Sequence, residues 1–290
     1  MPYCKKCGAE ILADANFCAK CGTPVTKEAV AATKHQTFKV TEKPKVIIVN
    51  RAPGKVHVKT GVEGEVTVDL DLREPDDVEW NISQETNTIT VKCRALVHPF
   101  RWPRYFASGG PRVDMIISVP KETDLDLEAS LDHVTVTGIK GSVKVETSVA
   151  RVSLESLEGT IDVTGKTGLI DLRGVNGTVK VDSTTGPVTL ENVNGTVSVR
   201  NTTGPIKFSG SLSNGENWFR TITGTIDLAL TGASDLTVEA YSRLGRVTCI
   251  PELADARYER GQYMGRIGSG TGKLIAETKT GSITIRQWCV

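Results

Sequence analysis

An 18-residue unit occurs four times between residues 141 and 212 and is clearest in GTVKVDSTTGPVTLENVN, residues 177–194. Its positions 3, 5, 12 and 14 are apolar in every copy. The sixteen residues are Val143, Val145, Val152, Leu154, Ile161, Val163, Ile170, Leu172, Val179, Val181, Val188, Leu190, Val197, Val199, Ile206 and Phe208. A unit this short cannot bury such a face alone, so successive units must stack and share one core. The repeat therefore predicts an all-β solenoid.

The length of one coil follows from the charges between the apolar positions. A nine-residue coil would stack acid on acid, as in Glu146 on Glu155, and directly opposed like charges destabilise a sheet. An 18-residue coil instead brings opposite charges together. Its columns would be Lys144–Asp162–Lys180, Glu155–Arg173–Glu191 and Asp182–Arg200. We therefore predict 18-residue coils stacked about 4.8 Å apart.

Glycine and proline predict the corners of each coil. Pro187 and Pro205 cannot donate to a strand ladder, and each follows a glycine that tolerates unusual dihedral angles. A third inward position, occupied by Leu157, Val175 and Val193, precedes the opposite corner. The pairs Thr184-Thr185 and Thr202-Thr203 recur in register, either as an ordered binding face or as β-branched residues that fill a turn.

Composition limits the class of protein. With 290 residues, 39% of them apolar, and a net charge of +1, the chain can form one large core and a small accessory unit, without a general preference for nucleic acid. The longest strongly apolar run, residues 46–49, is far short of the roughly 20 that a membrane helix needs. No apolar stretch follows the first residues, and Cys93, Cys249 and Cys289 are isolated. We therefore expect a soluble, unexported, cytoplasmic protein with reduced thiols.

Four cysteines near the beginning of the chain predict a metal site. Cys4-x2-Cys7 and Cys18-x2-Cys21 each precede a glycine, Gly8 or Gly22, that lets the backbone turn around a bound sulfur. Four thiolates suit one tetrahedral zinc ion, and a segment of about 22 residues has almost no other source of folding energy. A thioredoxin-like redox pair explains one Cys-x-x-Cys motif but not two, and iron fits the same geometry.

The stretch YCKKCGAEILADANFCAKCG, residues 3–22, resembles the short zinc ribbons of many bacterial and archaeal proteins. The resemblance implies a structural or docking module. Four thiolates and one zinc ion carry a formal charge of about −2, which offsets the nearby lysines and favours protein over nucleic acid as the partner. We expect a ribbon over residues 1–22, a linker over 23–37 and a solenoid over 38–290.

Two further regions flank the repeats. Short strands before residue 131 are expected to begin the same solenoid, and the late strands from Gly272 and Gly281 to close its far end. Between the early strands, residues 96–112 concentrate aromatic and arginine side chains. A partner could be bound there by Arg101, Trp102, Arg104 and Tyr105. The alternative is a lid over one end of the solenoid.

Residues 38–288 resemble the bacterial putative-adhesin family of unknown function. The resemblance rests on VDMIISVPKETDLDLEASLDHVTVTGIKGSVKV, on the glycine-spaced strands and on GTGKLIAETKTGSITIRQ. It implies a right-handed β-helix-like fold and supplies no catalytic residues.

Three functions compete at this point. The first is a non-enzymatic binding or scaffold protein, in which the ribbon docks and the solenoid offers a surface. The second is a structural or adhesin-like protein that self-assembles through the solenoid ends. The third is a carbohydrate-active enzyme using the outward Asp162, Asp171 and Asp182, but the coils lack the loops that build a cleft. No Ser-His-Asp set is legible around His35, His57, His98 or His133.

Overall fold

The computed structural model describes residues 3–4, 6–11, 17–23, 31–96, 110–231, 234–259 and 261–288. Within these ranges the chain forms 21 strands and one turn of 3₁₀ helix, Pro75–Asp77. The strands are β1 Ala31–Lys39, β2 Lys45–Arg51, β3 Val56–Thr60, β4 Glu65–Arg73, β5 Val78–Glu85, β6 Thr88–Ala95, β7 Arg112–Val119, β8 Asp124–Thr137, β9 Lys140–Glu155, β10 Glu158–Thr167, β11 Ile170–Thr185, β12 Val188–Thr203, β13 Ile206–Leu212, β14 Glu216–Thr223, β15 Ile226–Thr231, β16 Leu236–Leu244, β17 Val247–Ile250, β18 Ala254–Glu259, β19 Gln262–Ile267, β20 Gly272–Thr280 and β21 Ile283–Trp288.

The central strands form the predicted β-solenoid. Parallel pairing of β10 with β11 places Ile161 beside Val179 and Asp162 beside Lys180, an offset of one 18-residue unit. The pairings β9–β10 and β11–β12 have the same offset. All sixteen predicted inward residues are at most 3% exposed, so the coil length and its inward positions are confirmed.

Each coil contributes one strand segment to each of two faces. Face A runs through β5, β6, β2, the first halves of β8 and β9, β10, the second halves of β11 and β12, β14, β20, β16, β19 and β18. Face B runs through β1, β4, β7, β3, the second halves of β8 and β9, the first halves of β11 and β12, β13, β15, β21 and β17. One continuous apolar core lies between the faces.

At both ends of the solenoid, the coils do not stack in chain order. The β6–β7 coil lies outside the earlier β2–β3 coil. The late strands β20 and β21 pair on one side with β14 and β15 and on the other with β16 and β17. The prediction that they close the far end is therefore wrong. Their alternating apolar pattern fits any position in the stack, so it could not reveal this insertion.

Antiparallel strands cover most of the two ends. β5 covers face A, and β4 followed by β1 covers face B, next to the β6–β7 coil. At the other end β19 and β18 cover face A. The structure also shortens the predicted linker, because β1 already begins at Ala31, and it places His35 in this strand rather than in a connection. Little periodicity marks β1, since it packs on only one neighbour and most of its side chains are exposed.

The corner from face A to face B is built from glycines and buried polar side chains. Gly168, Gly186, Gly204, Gly224 and Gly281 stack there with positive φ, and a Cβ atom on any of these but Gly168 would overlap the carbonyl oxygen of the preceding glycine in the stack. Inside the corner, polar residues fill the inward position before the bend. They include Asn50, Thr147, Ser183, Asn201, Thr221, Thr278 and Ser242. Several donate to the corner carbonyl oxygens, as Ser242 does to Gly281 at 2.8 Å.

Candidate metal centre

The four predicted metal ligands come together in two matching turns. The backbone N–H of Gly8 donates to Cys4, and that of Gly22 donates to Cys18, each at 2.8 Å. Both glycines have positive φ, close to 66°, which allows each turn to close behind its cysteine pair. All four Sγ atoms lie within 4.8 Å of one another. Each Cys-x-x-Cys-Gly motif therefore folds into a knuckle, and the two sulfurs of one knuckle face the two sulfurs of the other knuckle.

The sulfur geometry fits a tetrahedral metal ion. Cys4 Sγ lies 3.6 Å from Cys21 Sγ, and Cys7 Sγ lies 3.5 Å from Cys18 Sγ. Four sulfurs at 2.3 Å from one zinc ion would be about 3.8 Å apart. No cysteine of the described residues forms a disulfide. The cluster is compatible with one metal ion held by Cys4, Cys7, Cys18 and Cys21.

The surroundings of the thiols differ. The backbone N–H of Lys6, followed by that of Cys7, lowers the pKa of Cys4. The Thr23 hydroxyl, 3.0 Å from Cys21 Sγ, is the main cause that lowers the pKa of Cys21 to about 6. For Cys7 the Ala9 N–H lowers the pKa, but the neighbouring Cys21 and burial outweigh it and raise the value to about 12. Backbone and hydroxyl donors thus already favour thiolates at Cys4 and Cys21.

The ribbon has a minimal core and two exposed aromatic side chains. The buried residues of its own cluster are Cys4, Ile11 and Cys18. Tyr3 and Phe17 each precede the first cysteine of a knuckle, and they are 67% and 60% exposed. These rings contribute little to the core of the ribbon. Sequence inspection missed them, although their matching positions were visible.

The other predicted sites have mixed outcomes. Arg101, Trp102, Arg104 and Tyr105 lie outside the described residues, as do residues 97–109 of the predicted lid. On face A, Lys180 Nζ lies 3.6 Å from Asp162, as predicted. Arg173 pairs similarly with Glu191 at 3.5 Å. Asp171 is also ion-paired, with Arg173 at 3.0 Å, whereas Lys144 pairs at 2.7 Å with Glu146 on its own strand and not with Asp162.

One predicted charge pair is replaced by an aromatic contact. Asp182 and Arg200 are neighbours in register, but Lys180 binds Asp182 at 3.2 Å. The guanidinium carbon of Arg200 lies 6.0 Å from the ring centroid of Trp218, and that of Arg220 lies 4.7 Å from it. The sequence contained no signal for this, because Trp218 lies after the break in the repeat.

Three polar side chains on the outermost strand β1 and its neighbour β4 follow the order of a catalytic relay but do not form one. His35 Nδ1 lies 2.6 Å from Asp69 Oδ1, and His35 Nε2 lies 3.4 Å from Thr37 Oγ1. The side chains of His35 and Asp69 are 66% and 47% exposed, so water surrounds the groups. Nucleophilic catalysis needs a shielded site with donors for the developing oxyanion, and this open strand supplies neither.

A four-cysteine ribbon that could hold a metal ion, together with a β-solenoid, defines a two-part, ribbon-bearing solenoid protein. The chain belongs to the Toastrack DUF4097 family, whose model matches residues 45–286. Residues 3–25 match the zinc-ribbon domain. No curated protein matches the chain in sequence.

Several solved structures are similar to this chain. A putative cell adhesion protein from Clostridium sporogenes ATCC 15579 is 13% identical, with 89% of this chain and 100% of that chain covered and a TM-score of 0.31. A putative adhesin from Parabacteroides merdae ATCC 43184 is 10% identical, with 89% and 95% covered and a TM-score of 0.40. A putative lipid binding protein from Parabacteroides distasonis ATCC 8503 is 10% identical, with 90% and 99% covered and a TM-score of 0.34.

None of the helical structure in the described ranges is long and apolar enough to span a membrane.

Proposed function

We propose that this protein is a non-catalytic binding protein whose zinc ribbon docks a protein partner and whose solenoid presents a second interaction surface. The observation that carries the proposal is the exposure of Tyr3 and Phe17 at matching positions of the two knuckles. Aromatic side chains are enriched at the centres of protein interfaces because they bury a large area for little lost entropy. In this role zinc is structural, since four thiolates leave no open coordination position.

The solenoid supports a binding role better than a self-assembling one. At three of its four edges an antiparallel pairing, β1–β4, β5–β6 or β18–β19, interrupts the parallel stack before the last strand, so the ends do not present the repeating parallel ladder that stacks within the solenoid. The fourth, β17, is only four residues long, which is a common protection against pairing between molecules. A cytoplasmic location, as proposed from the isolated reduced cysteines, would also keep the four ribbon thiols available for metal.

Substitution of the exposed aromatics tests the docking role. We expect the Tyr3→Ser/Phe17→Ser protein to keep its metal and lose the proteins that the wild-type chain captures from a cell extract. Tyr258→Ser is the matched control, because Tyr258 is an aromatic residue of the solenoid with 58% exposure. The proposal fails if the double variant retains the captured proteins, or if Tyr258→Ser loses the same ones.

A further inference from the structure

The corner from face A to face B carries an exposed ridge without a single acidic side chain. The two residues before the bend in each of eight coils form it, and we call it the threonine ridge. Its sixteen members are Ser130, Leu131, Ser148, Val149, Lys166, Thr167, Thr184, Thr185, Thr202, Thr203, Ile222, Thr223, Arg243, Leu244, Lys279 and Thr280. All are exposed or half-buried. With 34 acidic residues among 290, sixteen positions would on average contain about two carboxylates, and the ridge contains none.

Register pairing makes the ridge continuous. The residues next to the bend stack in the order Leu131, Val149, Thr167, Thr185, Thr203, Thr223, Thr280 and Leu244. Seven steps of about 4.8 Å give a length of about 34 Å. The ridge therefore runs along most of the solenoid and can contact a large object at several points at once.

Five cationic side chains lie on or beside the ridge, and the one acid at the bend, Asp132 after Leu131, is paired with Arg112 at 2.8 Å. Lys166, Lys279 and Arg243 lie on it, and Arg151 and Arg246 directly follow the bend. None of these five has a carboxylate of the described residues within 4.0 Å. The pairs Ser242–Thr278 and Leu244–Thr280 flank Arg243 and Lys279, so these two cations are neighbours on adjacent strands. Like charges in such positions destabilise a sheet. An anionic surface would relieve this repulsion.

The opposite corner shows that the solenoid can neutralise its charges. There Lys140 Nζ lies 3.6 Å from both Glu122 and Glu158, in the coils on either side. The same sequence thus pairs charges across coils at one corner, whereas the sixteen ridge positions at the other contain no acid. Charge balance within the fold does not explain the ridge.

Large aliphatic side chains stand among these cations. Leu131, Val149, Ile222 and Leu244 are between 42% and 65% exposed, and they occupy both ends of the ridge. A convex corner cannot enclose a small molecule. A fluid surface, by contrast, can deform around the corner. An acidic polysaccharide or nucleic acid would neutralise the cations but leave these aliphatic groups in water. The interfacial region of an anionic bilayer accepts both.

We infer that the threonine ridge is a binding surface for anionic phospholipid membranes, with the solenoid axis parallel to the bilayer. The cations contact the lipid phosphates, the threonine hydroxyls hydrogen-bond to headgroup oxygens, and the four aliphatic side chains enter the interfacial layer. This inference rests on the proposed binding role of the solenoid and names the partner of its second surface.

Sedimentation of the full-length, metal-loaded protein with vesicles tests the inference. The probes are vesicles of phosphatidylcholine alone and of phosphatidylcholine mixed with phosphatidylglycerol. We expect binding to the mixed vesicles only, weaker at high salt. Each cation near an anionic bilayer contributes about 1 kcal/mol, so Lys279→Glu/Arg243→Glu should weaken binding by about 30-fold or more. Ile222→Ser/Leu244→Ser should weaken it while leaving the charge unchanged.

Lys59→Glu/Lys121→Glu is the matched control, because it makes the same charge change at exposed positions near the opposite corner. It should bind like the wild-type protein. Absence of binding to both vesicles, or equal weakening by the ridge and control variants, overturns the inference. Binding to chondroitin sulfate in place of vesicles, unaffected by Ile222→Ser/Leu244→Ser, assigns the ridge to an acidic polysaccharide and also overturns it. Each of these results leaves ribbon docking intact, since the Tyr3→Ser/Phe17→Ser protein tests that separately.

Discussion

The side-chain amide of Asn201 donates a hydrogen bond to the carbonyl oxygen of Gly186 at 2.9 Å, and it reaches Gly204 O at 3.2 Å. One buried side chain thus fixes the bends of two successive coils from the inside. Asn201 is only 2% exposed, and its own Oδ1 has no partner among the described residues. The corner carbonyl oxygens of Gly186 and Gly204 therefore accept hydrogen bonds from a buried side chain, which holds the corner in place.

Removal of these donors should destabilise the solenoid. We expect Asn201→Ala to lower the free energy of unfolding by about 2 kcal/mol, because Gly186 O loses its side-chain donor and Gly204 O keeps only the Thr221 hydroxyl, at 3.4 Å. Asn176→Ala is the control at an exposed position that accepts one hydrogen bond, from Asn194, and should cost less than about 0.5 kcal/mol. Urea unfolding measures both values. Equal costs would show that the corner bonds add nothing beyond surface contacts.

The stacked corner glycines should not tolerate a side chain. In Gly186→Ala the new Cβ would overlap Gly168 O, and we expect a loss of about 3 kcal/mol or more. Gly174 also has a positive φ, but an added Cβ there would meet its nearest neighbours only at 3.9 Å, so Gly174→Ala isolates the backbone cost of about 1–2 kcal/mol. Thermal or urea unfolding gives the difference. The stacking explanation is contradicted if the two variants are equally stable.

Reversing one charge in a column should have a modest and salt-sensitive effect. Arg173→Glu would place an acid between Glu155 and Glu191 in register, and we expect a cost of about 1 kcal/mol that shrinks as salt is added. Lys166→Glu makes the same change where Ser148 and Thr184 lie in the neighbouring coils, and it should be close to neutral. Equal, salt-independent costs would exclude a role for the column.

Metal content should depend on the ribbon cysteines alone. We expect one zinc ion per chain, no bound zinc in Cys4→Ser, and one in Cys249→Ser, which changes a half-buried cysteine of the solenoid. Chelation should unfold the ribbon and leave the main thermal transition in place, because the ribbon core is separate from that of the solenoid. Elemental analysis and calorimetry measure these effects. Zinc retained in Cys4→Ser would refute the four-ligand site.

Asp235 should contribute stability that depends on pH. The Ser269 hydroxyl, with donors from Gly270 and Thr271, lowers its pKa to about 2 despite partial desolvation. Because the pKa of Asp235 is lower in the folded state than its unfolded value of about 3.9, the carboxylate stabilises the folded protein when the pH is above that unfolded value. This stabilisation is lost as the pH falls through the pKa of the folded state. Asp235→Asn should therefore be less stable than the wild-type protein above about pH 4, and the difference should decline toward pH 2. A difference that stays constant over this range would exclude the linkage.

Local periodicity predicted the coil but not the order of coils. The inward positions of residues 141–212 and the 18-residue offset followed from apolar alternation and from charge columns, and both are confirmed. The buried corner residue could also have been found, since Thr147 and Ser183 continue the same alternation two residues after an inward valine. The insertion of β20 and β21 between earlier strands could not have been predicted. Strands with the same apolar alternation fit every place in a parallel stack equally well.

For the candidate metal centre, spacing alone predicted which four cysteines come together, since each knuckle is a local structure of five residues. The threonine ridge is different in kind. Lys279 and Arg243 are far apart in sequence and become neighbours only through the inserted coil, so no inspection of a local segment could have placed them together.

The inserted final coil limits how proteins of this architecture can change in size. Loss of β20 and β21 would remove an interior layer and separate β14 and β15 from β16 and β17, rather than shorten one end. At the other end, the β6–β7 coil similarly encloses the coil that the chain forms first. Whole 18-residue units can be gained or lost only in the middle, where order in space and order in sequence agree. Relatives with longer or shorter solenoids should therefore differ by complete units between β8 and β13 and keep both ends unchanged.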